Sequence, residues 1–175
     1  MKKIKTADIA TVSLCAALMC VCSLIQIPSA IPFTLQTFAV FFISITFGFK
    51  KSLAATAVYI LLGAVGLPVF SGFQGGVGAL TGATGGFILS FIPASVTVSL
   101  ISRKADKKIL LSSLSCIPGL LISYASGILW YSFVFGGGNI RSAFFVCVLP
   151  FIIPDILKIL LAATVSKRIQ PLINK

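Results

Sequence analysis

Long apolar runs, broken only by short turns, constrain the fold of this chain more than any other feature. Six runs are present, at residues 9–25, 35–49, 52–65, 87–101, 109–135 and 142–166. Residues of hydrophobic type make up 58% of the 175 residues, and the mean hydropathy is +1.11. A soluble domain of this size cannot bury so much apolar surface. The sequence therefore predicts an all-α integral membrane protein with six transmembrane helices, in one membrane-embedded domain over residues 1–175.

The basic residues alternate between the two sides of the predicted membrane domain. Of the 14 Lys and Arg residues, all but Arg141 and Lys158 lie at the N terminus, at 50–51, at 103–108 or at the C terminus. Because Lys and Arg concentrate in cytoplasmic loops, we expect both termini to be cytoplasmic in a multi-pass protein of the cell membrane. Clustering at the ends of apolar runs also argues against nucleic-acid binding, despite the net charge of +11.

Metal, redox and ATPase chemistry are not indicated by the sequence. The five cysteines lie in apolar runs without a C-x-x-C pair, and the chain contains no His. We therefore expect no metal site and no cofactor. No Walker motif follows the glycine-rich segment at 66–86, so the chain is not expected to hydrolyse ATP by itself.

The sixth run contains the most informative polar residues, Asp155 and Lys158. Residues three apart in a helix are neighbours on its surface, so both side chains can point into one cavity. A charge at the bilayer centre costs about 2.5–3.5 kcal/mol and is usually retained for function. Two interpretations remain open: an ion pair that joins two helices, or a binding site for a polar ligand. Pro150 and Pro154 interrupt helical hydrogen bonding nearby, which favours a kink beside a cavity.

Two uncharged segments on the predicted outer side can cover such a cavity. Residues 27–37 form a proline-containing loop that leads into the second span, where Thr34, Gln36 and Thr37 either cap the helix or face a ligand. Residues 66–86 contain eight glycines, which permit close approach to a ligand. We interpret this segment as a lid rather than a flexible connector. Tyr124, Trp130 and Tyr131, near the far end of the fifth run, are predicted to form an interfacial belt.

The first run carries small side chains on one face. Ala10, Ser13, Ala17 and Cys20 recur at helical spacing, and Ala16 lies beside them. Small residues allow helices to approach closely in lipid. The partner of this stripe is either another span of the chain or another protein.

Four segments together resemble the BioY family, the biotin-specific S components of energy-coupling-factor (ECF) transporters. They run from Ile31 to Ala39, from Gly63 to Gly72, from Gly75 to Gly86 and from Leu149 to Lys158. The resemblance covers essentially the whole chain and implies a six-helix S-component fold with a biotin site near the outer face. It also implies that Asp155 and Lys158 bind the ligand. Pro154 stands where the family often has Gly.

The resemblance further implies a partner surface on the first helix. Ala10, Ser13, Ala16, Ala17 and Cys20 correspond to an Ala-rich pattern that docks on a transmembrane T component, which is carried with two ATPases. Ser13 and Cys20 stand where alanine is commoner. The function implied is biotin import without enzymatic activity. Two alternatives remain: an S component for another small vitamin, and a membrane-embedded enzyme that uses Asp155 and Lys158.

The chemistry of biotin agrees with these residues. Its ureido ring offers two N–H donors and one carbonyl acceptor, which a carboxylate and an ammonium group can match. Phe33, Tyr59 and Phe73 are candidates for an aromatic wall around the fused rings. The ligand carboxylate is expected to meet N–H groups of the glycine-rich segment, for which Gly75, Gly76 and Gly78 are candidates, or else Arg141.

Overall fold

The computed structural model describes residues 5–29, 31–103, 109–135 and 137–173. Parts of the predicted turns at 103–108 and 136–141 lie outside these residues. The helices of the described residues are α1 (Thr6–Leu24), α2 (Gln36–Ala64), α3 (Val77–Thr81), α4 (Gly85–Ser102), α5 (Ile109–Val134), α6 (Ile140–Cys147) and α7 (Ile152–Ile173). Strands β1 (Gln26–Ile27) and β2 (Phe33–Thr34) pair as a small antiparallel hairpin.

Helix α2 reverses direction at Gly48 and so contributes two antiparallel arms, residues 36–47 and 49–64. Gly48 has φ +73° and ψ 179°, a conformation that glycine adopts readily and other residues do not. The Nε2 atom of Gln36 lies 2.6 Å from the hydroxyl oxygen of Tyr59, whereas a straight helix would separate these residues by about 35 Å. The predicted second and third spans are therefore both present. The predicted turn at Lys50–Lys51 is wrong by two residues, because those lysines already belong to the second arm.

The described residues form five helices that are long and apolar enough to cross a membrane, when α6 and α7 are taken together. The reversal in α2 divides one of these helices into two antiparallel arms. Large apolar side chains such as Leu121, Phe133 and Leu157 are more than half exposed on the outside of the bundle. Lipid tails are a suitable environment for such a surface, so the predicted multi-pass architecture is confirmed.

The start of α1, the α2 reversal and the end of α7 meet at one end of the bundle. Lys51 forms an ion pair of 2.8 Å with Asp8 of α1. Thr46 donates to the Ser166 hydroxyl at 3.0 Å, and the side-chain amide of Gln170 donates to the Ile45 carbonyl at 2.9 Å. The β-hairpin and the glycine-rich segment consequently lie at the opposite end, where the chain enters α2 and α4.

The glycine-rich segment is more ordered than a flexible loop. It contains a 3-10 turn at Ser71–Phe73 and the short helix α3. Trp130 of α5 donates its indole N–H to the Gly82 carbonyl at 2.9 Å and packs against Gly86. The prediction for Trp130 named only an interfacial role, whereas this side chain also binds the glycine-rich segment to α5.

Gly86 illustrates how closely α4 and α5 approach. A Cβ atom added there would lie 2.3 Å from the Trp130 Cβ and 2.7 Å from the Ser126 carbonyl oxygen. We expect Gly86→Ala to lower the free energy of unfolding by about 1–3 kcal/mol, because the helices must separate to accommodate the methyl group. Thermal unfolding of the purified variant in detergent measures this effect. Gly78→Ala is the matched control, since its added methyl would meet nothing within 4 Å; equal melting temperatures for the two variants would contradict the packing argument.

Candidate functional site

A buried carboxylate with three hydrogen-bond donors forms the centre of the site. Asp155 is 2% exposed. Its Oδ1 accepts from Lys158 Nζ at 2.8 Å and from the Thr37 hydroxyl at 3.1 Å. Its Oδ2 accepts from the Tyr124 hydroxyl at 2.7 Å. Side chains from α2, α5 and α7 thus meet at one charge, and Lys158 neutralises it.

The broken helix of the sixth span places Asp155 at the start of α7. Helix α6 ends at Cys147, the chain turns through a 3-10 segment at Leu149–Phe151, and α7 begins at Ile152. Asp155 therefore lies in the first turn of α7, where the helix dipole favours a negative charge. Pro154 lies in the same turn, where a backbone N–H would have no helical partner in any case. The predicted kink is present, and it divides the predicted span at 142–166 into two helices.

An inner cavity adjoins this charged pair. Its volume is about 50 Å³, well below the roughly 300–1,000 Å³ of a complete small-molecule site, so a bound ligand must also occupy adjoining space. Its wall combines apolar and aromatic side chains with hydroxyl, amide and charged groups. The lining residues are Ile31, Pro32, Thr34, Gln36, Thr37, Ser71, Thr84, Phe87, Ile88, Phe91, Ser123, Tyr124, Phe151, Asp155 and Lys158.

A second cavity, here called the vestibule, lies next to the inner cavity on the side of the loops. The two share Pro32, Ser71 and Thr84 as lining residues. The vestibule is also lined by Gln26, Pro28, Ser29, Gly72, Gln74, Gly78, Gly82, Ala83 and Phe135. All of these side chains are uncharged. The vestibule lies at the end of the bundle opposite the start of α1 and the end of α7.

Five of the predicted ligand residues line the inner cavity: Thr34, Gln36, Thr37, Asp155 and Lys158. Thr34 donates to the Gln36 side-chain oxygen at 2.9 Å, and the Gln36 amide donates to the Tyr59 hydroxyl at 2.6 Å. These hydrogen bonds fix the Gln36 side chain at the start of α2, where it faces the cavity instead of lipid.

The three predicted wall aromatics lie elsewhere. Phe33 stacks on Phe151 with ring centroids 4.2 Å apart, and it is Phe151 that faces the inner cavity. Tyr59 is fully buried in the core against Phe70 and donates to the Val69 carbonyl at 3.2 Å. Phe73 is 69% exposed at the tip of the glycine-rich segment. Phe33 and Tyr59 therefore support cavity residues from behind, and Phe73 lies on the outside.

The three predicted glycines also differ in position. Gly78 lines the vestibule. The Gly76 N–H donates to the Gly63 carbonyl at 2.7 Å, so this donor is directed into the protein. Gly75 packs so closely on the backbone of Leu67 that an added Cβ would lie 2.3 Å from its carbonyl oxygen. Arg141, the other predicted partner of the ligand carboxylate, is exposed on α6 and lines neither cavity.

Sequence reasoning did not identify several residues of the inner cavity. The sequence predicts Tyr124 in an interfacial belt, but its hydroxyl donates to Asp155 inside the bundle. Ser123, Thr84, Phe87 and Phe91 line the cavity as well. Only the packing of α4 and α5 determines which faces of these helices turn inward, and the apolar runs that contain Phe87, Phe91 and Ser123 carry no such signal. Thr84 lies just before α4, in the glycine-rich segment. Thr37, by contrast, is predicted from its polarity at the start of the second span, and it also lines the cavity.

The stripe on α1 divides into an outer and an inner part. Ala10, Ser13 and Ala17 are exposed on one face of the helix, whereas Ala16 is 2% exposed and packs inside the bundle. Cys20 is half-buried against the core. An exposed surface of small side chains therefore remains along the part of α1 that contains Ala10, Ser13 and Ala17.

Comparison with known proteins gives consistent matches along the whole chain. A sequence profile of the BioY family matches residues 1–175. The biotin transporter BioY of Thermotoga maritima is 38% identical over 157 residues, which cover 89% of this chain and 91% of that protein. The probable biotin transporter BioY of Pyrococcus horikoshii is 34% identical over 167 residues, which cover 95% and 98% respectively.

The fold is also that of a solved structure. The crystal structure of the S-component for biotin from an ECF-type ABC transporter superposes with a TM-score of 0.88 and covers 97% of this chain and 95% of its own. The sequence identity in that comparison is 18%. The helical architecture described above is therefore the S-component fold, as the sequence predicts.

Proposed function

The chain belongs to the BioY family, and on that basis we propose that it is the biotin-binding S component of an ECF importer in the cell membrane. It is a transport subunit and not an enzyme. We assign the ligand site to the inner cavity because Asp155 and Lys158 form an ion pair of 2.8 Å in its wall.

The charged pair retains hydrogen-bonding capacity for a ligand. A carboxylate accepts about four hydrogen bonds, and an ammonium group donates three. From the described residues, Asp155 receives three donors and Lys158 makes one such contact, to Asp155. One acceptor site and further ammonium donors are thus available for an N–H group and the carbonyl of a ureido ring. The apolar wall formed by Ile88, Phe91 and Phe151 suits the fused rings.

An ion pair that serves only to join helices is the competing interpretation of the same contact. The pair is indeed formed, which satisfies both charges in part. A purely structural pair has no need of a cavity beside it, however, and hydroxyl and amide groups of α2 and α5 line that same cavity. We therefore assign the pair a ligand-binding role.

The ligand carboxylate is proposed to point toward the vestibule. The vestibule adjoins the inner cavity and is lined by Gly78, Gly82 and the amide side chains of Gln26 and Gln74. These neutral donors favour the glycine-rich segment over Arg141 as the partner of the carboxylate, because Arg141 lines neither cavity.

Energy for transport is proposed to come from a T component and two ATPases. The chain has no Walker motif of its own, and the exposed small residues of α1 offer a surface for a partner helix. Lys5, Lys51, Lys167 and Arg168 lie at the end of the bundle opposite the cavities. Because basic residues favour the cytoplasmic side, we place the termini in the cytoplasm and the vestibule outside.

Calorimetry with the purified chain tests the proposed ligand. Biotin is expected to bind, whereas thiamine and riboflavin are not. Binding of another vitamin in place of biotin would contradict the assignment, and conversion of biotin into a product during incubation would indicate an enzyme.

Asp155→Asn is expected to weaken biotin binding by about 1–3 kcal/mol, because a neutral amide replaces a charge-assisted acceptor. The amide oxygen still accepts from Thr37 or Tyr124, so the variant is expected to fold, with a lower free energy of unfolding because Lys158 loses its counter-charge. Titration calorimetry against the wild type measures the change. Wild-type affinity in a folded variant would show that the carboxylate does not contact the ligand.

A further inference from the structure

Ser123 is one of three buried serines, with Ser113 and Ser132, whose hydroxyl has no hydrogen-bond partner among the described residues. Ser90, Ser95 and Ser115 each donate to the carbonyl three residues earlier in their own helix, at 2.6, 2.8 and 2.6 Å. Ser123 is 1% exposed, yet no atom of the described residues forms a hydrogen bond with its Oγ. A buried hydroxyl without a partner destabilises a protein, so its retention requires a reason.

Of the three serines, Ser123 has a position that supplies such a reason. It lines the inner cavity on α5, next to Tyr124, whose hydroxyl holds Asp155. Asp155 and Lys158 line the same cavity from α7. Ser123 on α5 and the charged pair on α7 therefore both offer unpaired hydrogen-bonding groups to the inner cavity.

We infer that the Ser123 hydroxyl is a second polar contact for the ligand and accepts the ureido N–H that Asp155 does not take. The inference rests on the proposed biotin site. A ureido ring carries its two N–H groups on opposite sides of its carbonyl, so a single acceptor can bind only one of them. With Asp155 on one side and Ser123 on the other, both donors are paired while Lys158 donates to the carbonyl. Two-sided recognition of this kind selects a cyclic urea over a ring that has one N–H.

The experiment compares Ser123→Ala with Ser132→Ala. Ser132 lies on the same helix, is equally buried, and also has a hydroxyl without a partner among the described residues, but it lines neither cavity. Biotin affinity is measured by titration calorimetry, and stability without biotin by thermal unfolding. Ser123→Cys, which nearly preserves the side-chain volume with a weak acceptor, is a second variant at the same position.

Ser123→Ala is expected to raise the dissociation constant for biotin roughly 3- to 10-fold, as expected for one neutral hydrogen bond. Ser132→Ala is expected to leave the dissociation constant unchanged. Neither substitution is expected to lower the melting temperature of the ligand-free protein, since each removes an unpaired hydroxyl. Biotin methylated on one ureido nitrogen supplies a further test. Methylation of the nitrogen proposed to face Ser123 removes that hydrogen bond, so the affinity lost relative to biotin is expected to be smaller for Ser123→Ala than for the wild type.

The results separate this inference from the proposed function. If the wild type binds biotin and Ser123→Ala binds it equally well, the inference is wrong and the proposed function stands. An equal loss in Ser132→Ala would likewise overturn it, because the effect would then not depend on the cavity. If the wild type does not bind biotin, the proposed function itself fails.

Discussion

Lys158→Ala is expected to reduce biotin binding more than any other single change in the site, by about 2–5 kcal/mol. The substitution removes the donor proposed for the ureido carbonyl and leaves the Asp155 charge without its cation. Thr37 and Tyr124 still donate to that carboxylate, but neither neutralises it. The free energy of unfolding is expected to fall as well, because breaking a buried ion pair is costly. Calorimetry and thermal unfolding in detergent measure the two effects.

A double variant, Asp155→Asn with Lys158→Met, separates binding from folding. Replacing both charges by uncharged groups of similar size often preserves stability, and asparagine can still accept from Tyr124 or Thr37. We expect the double variant to unfold near the wild-type temperature while failing to bind biotin. Retained biotin binding in the double variant would show that the pair is structural.

Ala17→Trp is expected to abolish biotin uptake by cells while biotin binding to the purified chain is unchanged. Ala17 is exposed on α1 with Ala10 and Ser13, and it lines neither cavity. An indole side chain there would hold a partner helix away from the stripe, since close approach requires small residues. Uptake of labelled biotin by cells that contain the T component and ATPases measures the loss.

Ala125→Trp is the matched control for that prediction. Ala125 is also an exposed alanine, but it lies on α5, outside the stripe. It is expected to support uptake at the wild-type rate. Equal uptake by Ala17→Trp and wild type, or equal losses in the two variants, would contradict a docking surface on α1. ATP-dependent uptake by the purified chain alone would contradict the need for partners.

The membrane architecture was predictable because it depends on composition and spacing. Apolar runs of sufficient length must cross the membrane, and the six runs correspond to five long apolar helices, one of which, α2, contains two runs as antiparallel arms. The position of the turn between the second and third spans was less predictable. Lys50 and Lys51 marked the membrane boundary, but the chain reverses where glycine permits a positive φ, at Gly48.

The charged centre of the site could be located from sequence, whereas its surroundings could not. Asp155 and Lys158 are conspicuous in an apolar run, and their spacing places them on one helix face. Tyr124 shows the limit of this reasoning. An aromatic residue with a polar tip suits a membrane interface and a buried hydrogen bond equally well, and only the packing of α5 against α7 brings its hydroxyl to Asp155. Phe33 and Tyr59 are predicted from sequence to form part of the aromatic wall, but Phe151, which stacks on Phe33, and Gln36, which donates to Tyr59, line the cavity in their place.

A structure of the chain with bound biotin tests the central claim most directly. The account predicts that the ureido ring occupies the inner cavity, with its polar atoms within about 3.2 Å of the Asp155 carboxylate and the Lys158 ammonium group. Biotin bound elsewhere, with Asp155 and Lys158 paired only with protein groups and remote from the ligand, would contradict it.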